Sequence, residues 1–225
     1  MAGQATKIVD HIYKVGGAGF TASQDAAVYL VEFEGHAALI DAGVGTATDK
    51  LLANVEAAGV MPEQIELLLI THCHFDHTGG ARGLRDVLGC RVVMHDLDAD
   101  YLQFGDNLVT AAYWYGDTIE PCAVDRRLVG TEEKIVLGGR VISALHIPGH
   151  SPGSVAYVTQ SGGMKVVFAQ DVHGPLDATL LSNQEDYQIS LQKLLDLDAD
   201  ILCEGHYGVF TDKAEARRFI RSFMV

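Results

Sequence analysis

Apolar positions along the chain fall into short runs separated by glycine-marked turns, with a few stretches at helical spacing between them. Residues 7–15 and 27–33 are β-branched and apolar, and 36–40 (HAALI) reads as a further short strand. The Glu34-Gly35 step marks a tight hairpin between the last two. Residues 46–58 place Leu51, Leu52, Val55 and Ala58 on one face, which predicts an amphipathic helix stopped by Gly59. Residues 65–70 (IELLLI) form the nearly continuous apolar run of a buried strand. A helix over about 81–88 and a strand over 91–94 follow. From 96 to about 125 periodicity is poor and aromatic residues are dense, with Tyr101, Phe104, Tyr113, Trp114 and Tyr115. Short strands are then predicted at 127–129, 134–136, 141–146, 154–159 and 165–169, a helix at about 183–195, a strand at 200–203 and a last helix at 213–223. Strands in sequence and then a helix, twice over, predict two sheets packed together with helices outside. No fixed-period repeat or Pro/Ser-rich linker divides the chain, so 1–225 reads as a single domain with an aromatic-rich insertion around 96–125.

Composition narrows the class. At 225 residues, 48% hydrophobic and 20% charged, the chain is globular and has enough length for a sizeable core. Lys and Arg number 16 against 30 Asp and Glu, a formal charge of -14. Such a surface repels phosphate backbones and anionic lipid, so neither nucleic acid nor a membrane surface is an expected partner. It also repels polyanionic substrates unless metal ions reverse the local field. No apolar run approaches the ~18 residues of a membrane span. The start, MAGQATKIVD, lacks the basic and apolar pattern of an export signal, and the expectation is a cytoplasmic protein. Four cysteines form no CxxC pair and are too sparse for a disulfide scaffold.

The histidines carry the chemistry. His72-x-His74-x-Asp76-His77, followed by Thr78-Gly79-Gly80, sits just after the predicted buried strand. Side chains alternate along a strand, so His72 and His74 point the same way and Cys73 points oppositely, as a packed thiol. Asp76 and His77 reach a second point from the turn that follows. Further candidates lie at later strand ends beside glycine: His150 in PGHSPGS, Asp171 at the end of VVFAQD, and His206 in CEGH. Glycine there lets backbone approach a crowded site. Together these segments point to a metal site.

The order HxHxDH, PGHSPGS, a strand-terminal Asp and a late GH resembles the metallo-β-lactamase-fold hydrolase superfamily, in its glyoxalase II and lactonase-like branch. The resemblance runs from Asp41 to His206. It implies an α/β (α+β) fold, the four-layer αββα sandwich in which two mixed sheets are flanked by helices, with a dinuclear site at one sheet edge. By the resemblance, His72, His74 and His150 would hold a first metal ion, Asp76, His77 and His206 a second, and Asp171 would bridge both. Asp41 matches the strand-end Asp that supports such a site from behind its ligands. The imidazole and carboxylate donors suit Zn²⁺, with Fe or Mn²⁺ as alternatives. Two ions sharing a water would lower its pKa towards neutrality, and the resulting bridging hydroxide would attack the substrate, with Asp76 and Asp171 the catalytic carboxylates. No protein nucleophile is then required, and no GxSxG motif is present.

The expected activity is metal-dependent hydrolysis of a small ester, thioester or lactone. Two alternatives use related sites: a mononuclear iron persulfide dioxygenase, whose family shares HxHxDH, and a phosphotriesterase or phosphodiesterase. The sequence departs from the lactonase pattern at Gly174, where those relatives carry tyrosine. It also departs at Gln170, where glycine usually precedes the bridging aspartate. His173 is a candidate proton shuttle or substrate contact. Tyr113, Trp114 and Tyr115 are candidates for the wall of a small-molecule pocket. The same rings would otherwise cover the core or the interface of a homo-oligomer.

Overall fold

The computed structural model describes residues 3–225. The first sheet runs in chain order through β1 (Thr6–Val9), β2 (Ile12–Gly16), β3 (Val28–Phe33), β4 (His36–Ile40), β5 (Ile65–Leu69), β6 (Arg91–His95) and β7 (Arg126–Leu128). Strands β1 to β4 pair antiparallel and β4 to β7 parallel. The second sheet contains β8 (Glu132–Leu137), β9 (Arg140–His146), β10 (Val155–Ser161), β11 (Met164–Phe168), β12 (Ile201–Cys203) and β13 (Val209–Phe210), also neighbours in chain order. Only its β11–β12 pair is parallel.

The period of two along each strand builds the layers. In β3, Tyr29, Val31 and Phe33 enter the core between the sheets, while Val28 and Leu30 face a separate helix-side cluster. In β5, Leu67 and Leu69 turn inward and Leu68 faces the helices. The helix side of the first sheet is covered by α1 (Thr48–Ala57), the short α2 (Phe75–Thr78), α3 (Ala81–Leu88) and α4 (Asp96–Phe104). Two helices, α5 (Gln184–Asp196) and α6 (Lys213–Arg221), bury Leu191, Leu194, Leu195 and Ile220 against Ala156, Val167 and Leu202 of the second sheet. The result is the expected αββα sandwich. Cap chemistry sets the later helix starts: Asn183 accepts from Asp186 N, and Asp212 from Glu215 N.

Two expectations need correction. The single strand predicted over 7–15 is a hairpin, because His11 turns the chain at φ 64 without the glycine or asparagine that usually marks such a turn. The segment 96–125 is not wholly irregular. It opens with α4, whose run Asp96-Leu97-Asp98-Ala99-Asp100 hides its helical period behind polar residues.

The sheets are pinned to each other where it matters for function. Tyr29 of the first sheet donates its hydroxyl to Glu204 O across the core at 2.6 Å, and Tyr157 of the second donates to Ile70 O at 2.8 Å. Both tyrosines are fully buried. A buried hydroxyl left without a partner costs about 1–3 kcal/mol, so each bond fixes the relative height of two strand ends. Those ends, with the β9–β10 loop, share one edge of the sandwich and carry Asp41, His72, His150, Asp171 and His206. Crevices beyond the carboxyl ends of parallel strands are the usual ligand positions in α/β folds. The four cysteines are free and buried, and among the described residues no helix is long and apolar enough to cross a membrane.

Candidate metal centre

Two groups of metal-competent side chains meet at this edge. His72, His74, His150 and Asp171 form one, Asp76, His77 and His206 the other, and within each group the ligand atoms lie within 4.8 Å of one another. Asp171 stands between them. Its Oδ2 lies 3.2 Å from Nε2 of His150 and 3.7 Å from Nε2 of His72. Its Oδ1 lies 3.3 Å from Nε2 of both His77 and His206. Nε2 of His206 is also 3.1 Å from Asp76 Oδ2. The backbone at Asp171 has φ 53, a left-handed conformation that aspartate tolerates better than most residues.

Hydrogen bonds behind the cluster set which ring nitrogens face it. His150 donates Nδ1–H to the carbonyl of Pro175 at 2.8 Å. His77 donates Nδ1–H to Asp41 Oδ2 at 2.8 Å. His72 Nδ1 lies 3.1 Å from Thr71 Oγ1, which donates to Asp41 Oδ2 at 2.7 Å, so the imidazole is the donor in that pair too. Each ring therefore aims Nε2 inward, the nitrogen left to bind a cation once Nδ1 is held as the donor. Asp41 also accepts Thr71 N and Gln170 Nε2, both at 2.8 Å, and it is held at φ 63.

This arrangement sets lone pairs against lone pairs. Nε2 of His77 and His150 face carboxylate oxygens of Asp171, and the Nε2 atoms of His72, His74, His77 and His150 are buried without hydrogen-bond partners, as is Asp171 Oδ1. Only positive charge in the middle relieves that. Protons cannot supply it everywhere: burial, then the neighbouring imidazoles, hold the basicity of His72 and His74 well below the ordinary histidine value. At His77 burial works the same way, but the carboxylates of Asp171, Asp76 and Asp41 outweigh it and raise the pKa well above normal. His206 follows His77, with burial overcome by Asp171 and Asp76 and the pKa raised to about 10. Neutral imidazoles mixed with carboxylates around buried, unpaired donor atoms fit bound divalent cations.

The cluster opens on a cavity of about 170 Å³ lined by Ala111, Trp114, Tyr115, His173, Pro175 and Leu180 in addition to the candidate ligands. Of the expected aromatic wall, Trp114 and Tyr115 reach the cavity. Tyr113 does not line it, and its ring packs edge-on to Trp114 at 6.0 Å. These three residues lie on a single 3₁₀ turn, so consecutive side chains point in different directions. Burial, then the Asp76 carboxylate, raise the Tyr115 pKa, so its hydroxyl keeps its proton at neutral pH. His173 lines the cavity with Nδ1 2.8 Å from Glu204 Oε1. Gln170 is buried behind the site, bonded to Ala27 O and Asp41 Oδ2. Gly205 is required here, because a Cβ would fall 2.6 Å from Gln170 Oε1 and 2.7 Å from Asp171 Oδ1. Cys73 faces away into the helix-side core, as alternation predicts.

Sequence reasoning missed two buried carboxylates. Asp98 of α4 accepts Cys73 N at 3.0 Å, Ser151 Oγ at 2.6 Å and Gly153 N at 2.6 Å. It thereby ties the HxHxDH loop to the loop that carries His150. Glu204 accepts His206 N at 2.7 Å and Tyr207 N at 2.8 Å on Oε2 while its Oε1 faces His173.

A sandwich of two sheets between helices, with His/Asp groups able to bind metal ions at the strand ends, defines the class of this protein. A family profile described as the metallo-beta-lactamase superfamily matches residues 24–206, and the chain belongs to that superfamily. It is 30% identical over 214 residues to the acyl-coenzyme A thioesterase MBLAC2 of Gallus gallus, covering 82% of this chain and 73% of the relative. It is 29% identical over 205 residues to the hydroxyacylglutathione hydrolase GloC of Haemophilus influenzae, covering 88% and 92%. Among solved structures, a metallo-beta-lactamase of Cronobacter sakazakii superposes with a TM-score of 0.80 at 22% identity, over 97% of this chain and 94% of that one. At that identity the likeness speaks to the fold.

Proposed function

We propose that the protein is a metal-dependent hydrolase that opens a small thioester, ester or lactone at a dinuclear site. The observation that carries the reading is the division of Asp171, with one oxygen facing His72 and His150 and the other facing His77 and His206. On this reading His72, His74 and His150 hold one ion, Asp76, His77 and His206 the other, and Asp171 both. Bound divalent ions supply Lewis acidity and lower the pKa of water towards neutrality. The chain's own residues do the rest. Asp41, Thr71 and the Pro175 carbonyl keep imidazole Nε2 atoms free and aimed inward. Trp114, Ala111 and Leu180 give the acyl side of a substrate an apolar wall. Tyr115 offers a neutral hydroxyl beside Asp76. Zinc is the default for this donor set, with Fe or Mn²⁺ as alternatives.

Thioesters lead the substrate classes, because the MBLAC2 relative is named an acyl-coenzyme A thioesterase and the GloC relative is named a hydrolase of an acyl conjugate of the thiol glutathione. The test is a panel of acyl thioesters, esters, lactones and phosphotriesters, with persulfide-dependent oxygen uptake measured in parallel. Hydrolysis of a carboxylic ester or thioester, lost together with bound metal in Asp171→Ala, supports the proposal. Oxygen uptake with persulfide and no hydrolysis would overturn it.

A further inference from the structure

We propose that His173 is an additional metal ligand, binding the ion of the second position together with Asp171 and His206. The inference rests on the metal-hydrolase reading and adds a residue to that ion's ligand set. A ring nitrogen of His173 lies within 4.8 Å of ligand atoms of both Asp171 and His206. Its Nδ1 is 2.8 Å from Glu204 Oε1. Glu204 is fully buried, and its other oxygen already accepts two backbone N–H groups, so the carboxylate is the acceptor and His173 Nδ1 the donor. In the neutral imidazole that tautomer leaves Nε2 as the lone-pair nitrogen. A buried carboxylate behind Nδ1 and a free Nε2 in front is the arrangement that orients metal-ligating histidines. The same device holds His77 through Asp41 in this molecule.

The bracing is shared. Glu204 anchors the backbone at His206 with one oxygen and the ring of His173 with the other, so one buried group positions both imidazoles. Their rings meet edge-on with centroids 5.2 Å apart. The side chain of His173 is only 17% exposed and lines the cavity, facing the same space as the candidate ligands. The lone pair of a neutral imidazole at that nitrogen suits a cation and does not suit a substrate oxyanion.

The consequence is metal choice. Asp76, His77, His206 and one oxygen of Asp171 already satisfy a tetrahedral zinc ion. A further imidazole raises the coordination number towards that preferred by Mn²⁺ and Fe²⁺. The set Asp171, His173 and His206 is itself two histidines and one carboxylate, a donor combination typical of non-haem iron(II). With His173 bound, the second position moves from the tetrahedral preference of Zn²⁺ towards the geometry taken by Fe²⁺ and Mn²⁺, while zinc stays the default for the donor set as a whole.

The test is titration calorimetry of the metal-stripped full chain with Mn²⁺, with Fe²⁺ under anaerobic conditions and with Zn²⁺, comparing the wild type with His173→Asn. The asparagine amide can replace Nδ1 as donor to Glu204 while deleting Nε2, so the variant keeps the bracing. The expected result is a second equivalent of Mn²⁺ or Fe²⁺ weakened about 10- to 100-fold, with the first equivalent unchanged and Zn²⁺ affected less. Unchanged affinities for both equivalents in His173→Asn would overturn the assignment, including when KM rises, since that would make His173 a substrate contact. Should the variant fail to fold, a structure of the Mn²⁺-loaded wild type decides. Nε2 within about 2.3 Å of an ion supports the proposal, and beyond about 3 Å contradicts it. A wild type that binds fewer than two ions would instead count against the dinuclear hydrolase itself.

Discussion

Oδ2 of Asp41 lies 2.8 Å from Nδ1 of His77, with both side chains fully buried. The carboxylate works purely as an acceptor, because every group it touches (Thr71 N, Thr71 Oγ1, His77 Nδ1, Gln170 Nε2) is a donor. Through that one contact Asp41 decides which nitrogen of His77 faces the site.

Asp41→Asn preserves shape and tolerates the φ of 63, but puts an amide N–H among donors. His77 can then accept at Nδ1, which moves its proton to Nε2 and removes a metal ligand. We expect the second metal equivalent to weaken about 10- to 100-fold in calorimetric titration. Equal affinity in wild type and variant would show that Asp41 does not set the tautomer.

Asp98 makes a different prediction, about the framework. Asp98→Ala leaves Cys73 N, Gly153 N and Ser151 Oγ without their buried acceptor. A loss of about 3 kcal/mol in urea denaturation is expected, with weaker metal binding because the two ligand loops lose their common anchor. A change below about 1 kcal/mol would mean that water or a shifted neighbour satisfies these donors.

The contrast between these two aspartates shows what the sequence made legible. His72, His74, Asp76 and His77 stand out because a strand end and the turn after it bring near neighbours in sequence to one point. Asp171 is visible because it ends an apolar run, and His150 and His206 because each directly follows a glycine at a strand end. Asp98 and Glu204 carry no such local mark. Asp98 is one of several acidic residues on a polar helix, and its importance comes from Ser151 and Gly153, some fifty positions away. The layers were legible for the same reason as the motif, since period-two burial is local. The β1–β2 turn at His11 and the orientation of Tyr113 were not, because each depends on a backbone conformation without a residue signature.

A stack of His95 on His146, centroids 3.9 Å apart and nearly parallel, gives a pH dependence away from the metal groups. Burial, then the neighbouring His146 ring, push the His95 pKa down to about 4, whereas an unfolded histidine titrates near 6.5. Between those values the unfolded chain binds more protons, so the stack's contribution is intact above about pH 6.5 and is lost as pH falls towards 4. His95→Asn keeps an acceptor for Leu97 N and removes the titration. The difference in unfolding free energy between wild type and His95→Asn should shrink by up to about 3 kcal/mol across that range. A difference independent of pH would place the His95 proton equally in both states.

Trp114 tests the pocket. It lines the cavity yet is 46% exposed, as expected of a residue that covers a substrate rather than the core. Trp114→Ala should raise KM about 5- to 20-fold for acyl substrates, an apolar loss of about 1–2 kcal/mol, while metal content and thermal stability hold. An unchanged substrate profile would make the ring part of an exposed surface without a role in binding.

Elemental analysis of the chain purified without a metal-binding tag decides whether the site holds two ions. Two equivalents of Zn, Mn, Fe or a mixture per chain, falling in Asp171→Ala, are the predicted result. A single equivalent of iron that survives Asp171→Ala would contradict the shared carboxylate and the dinuclear site with it.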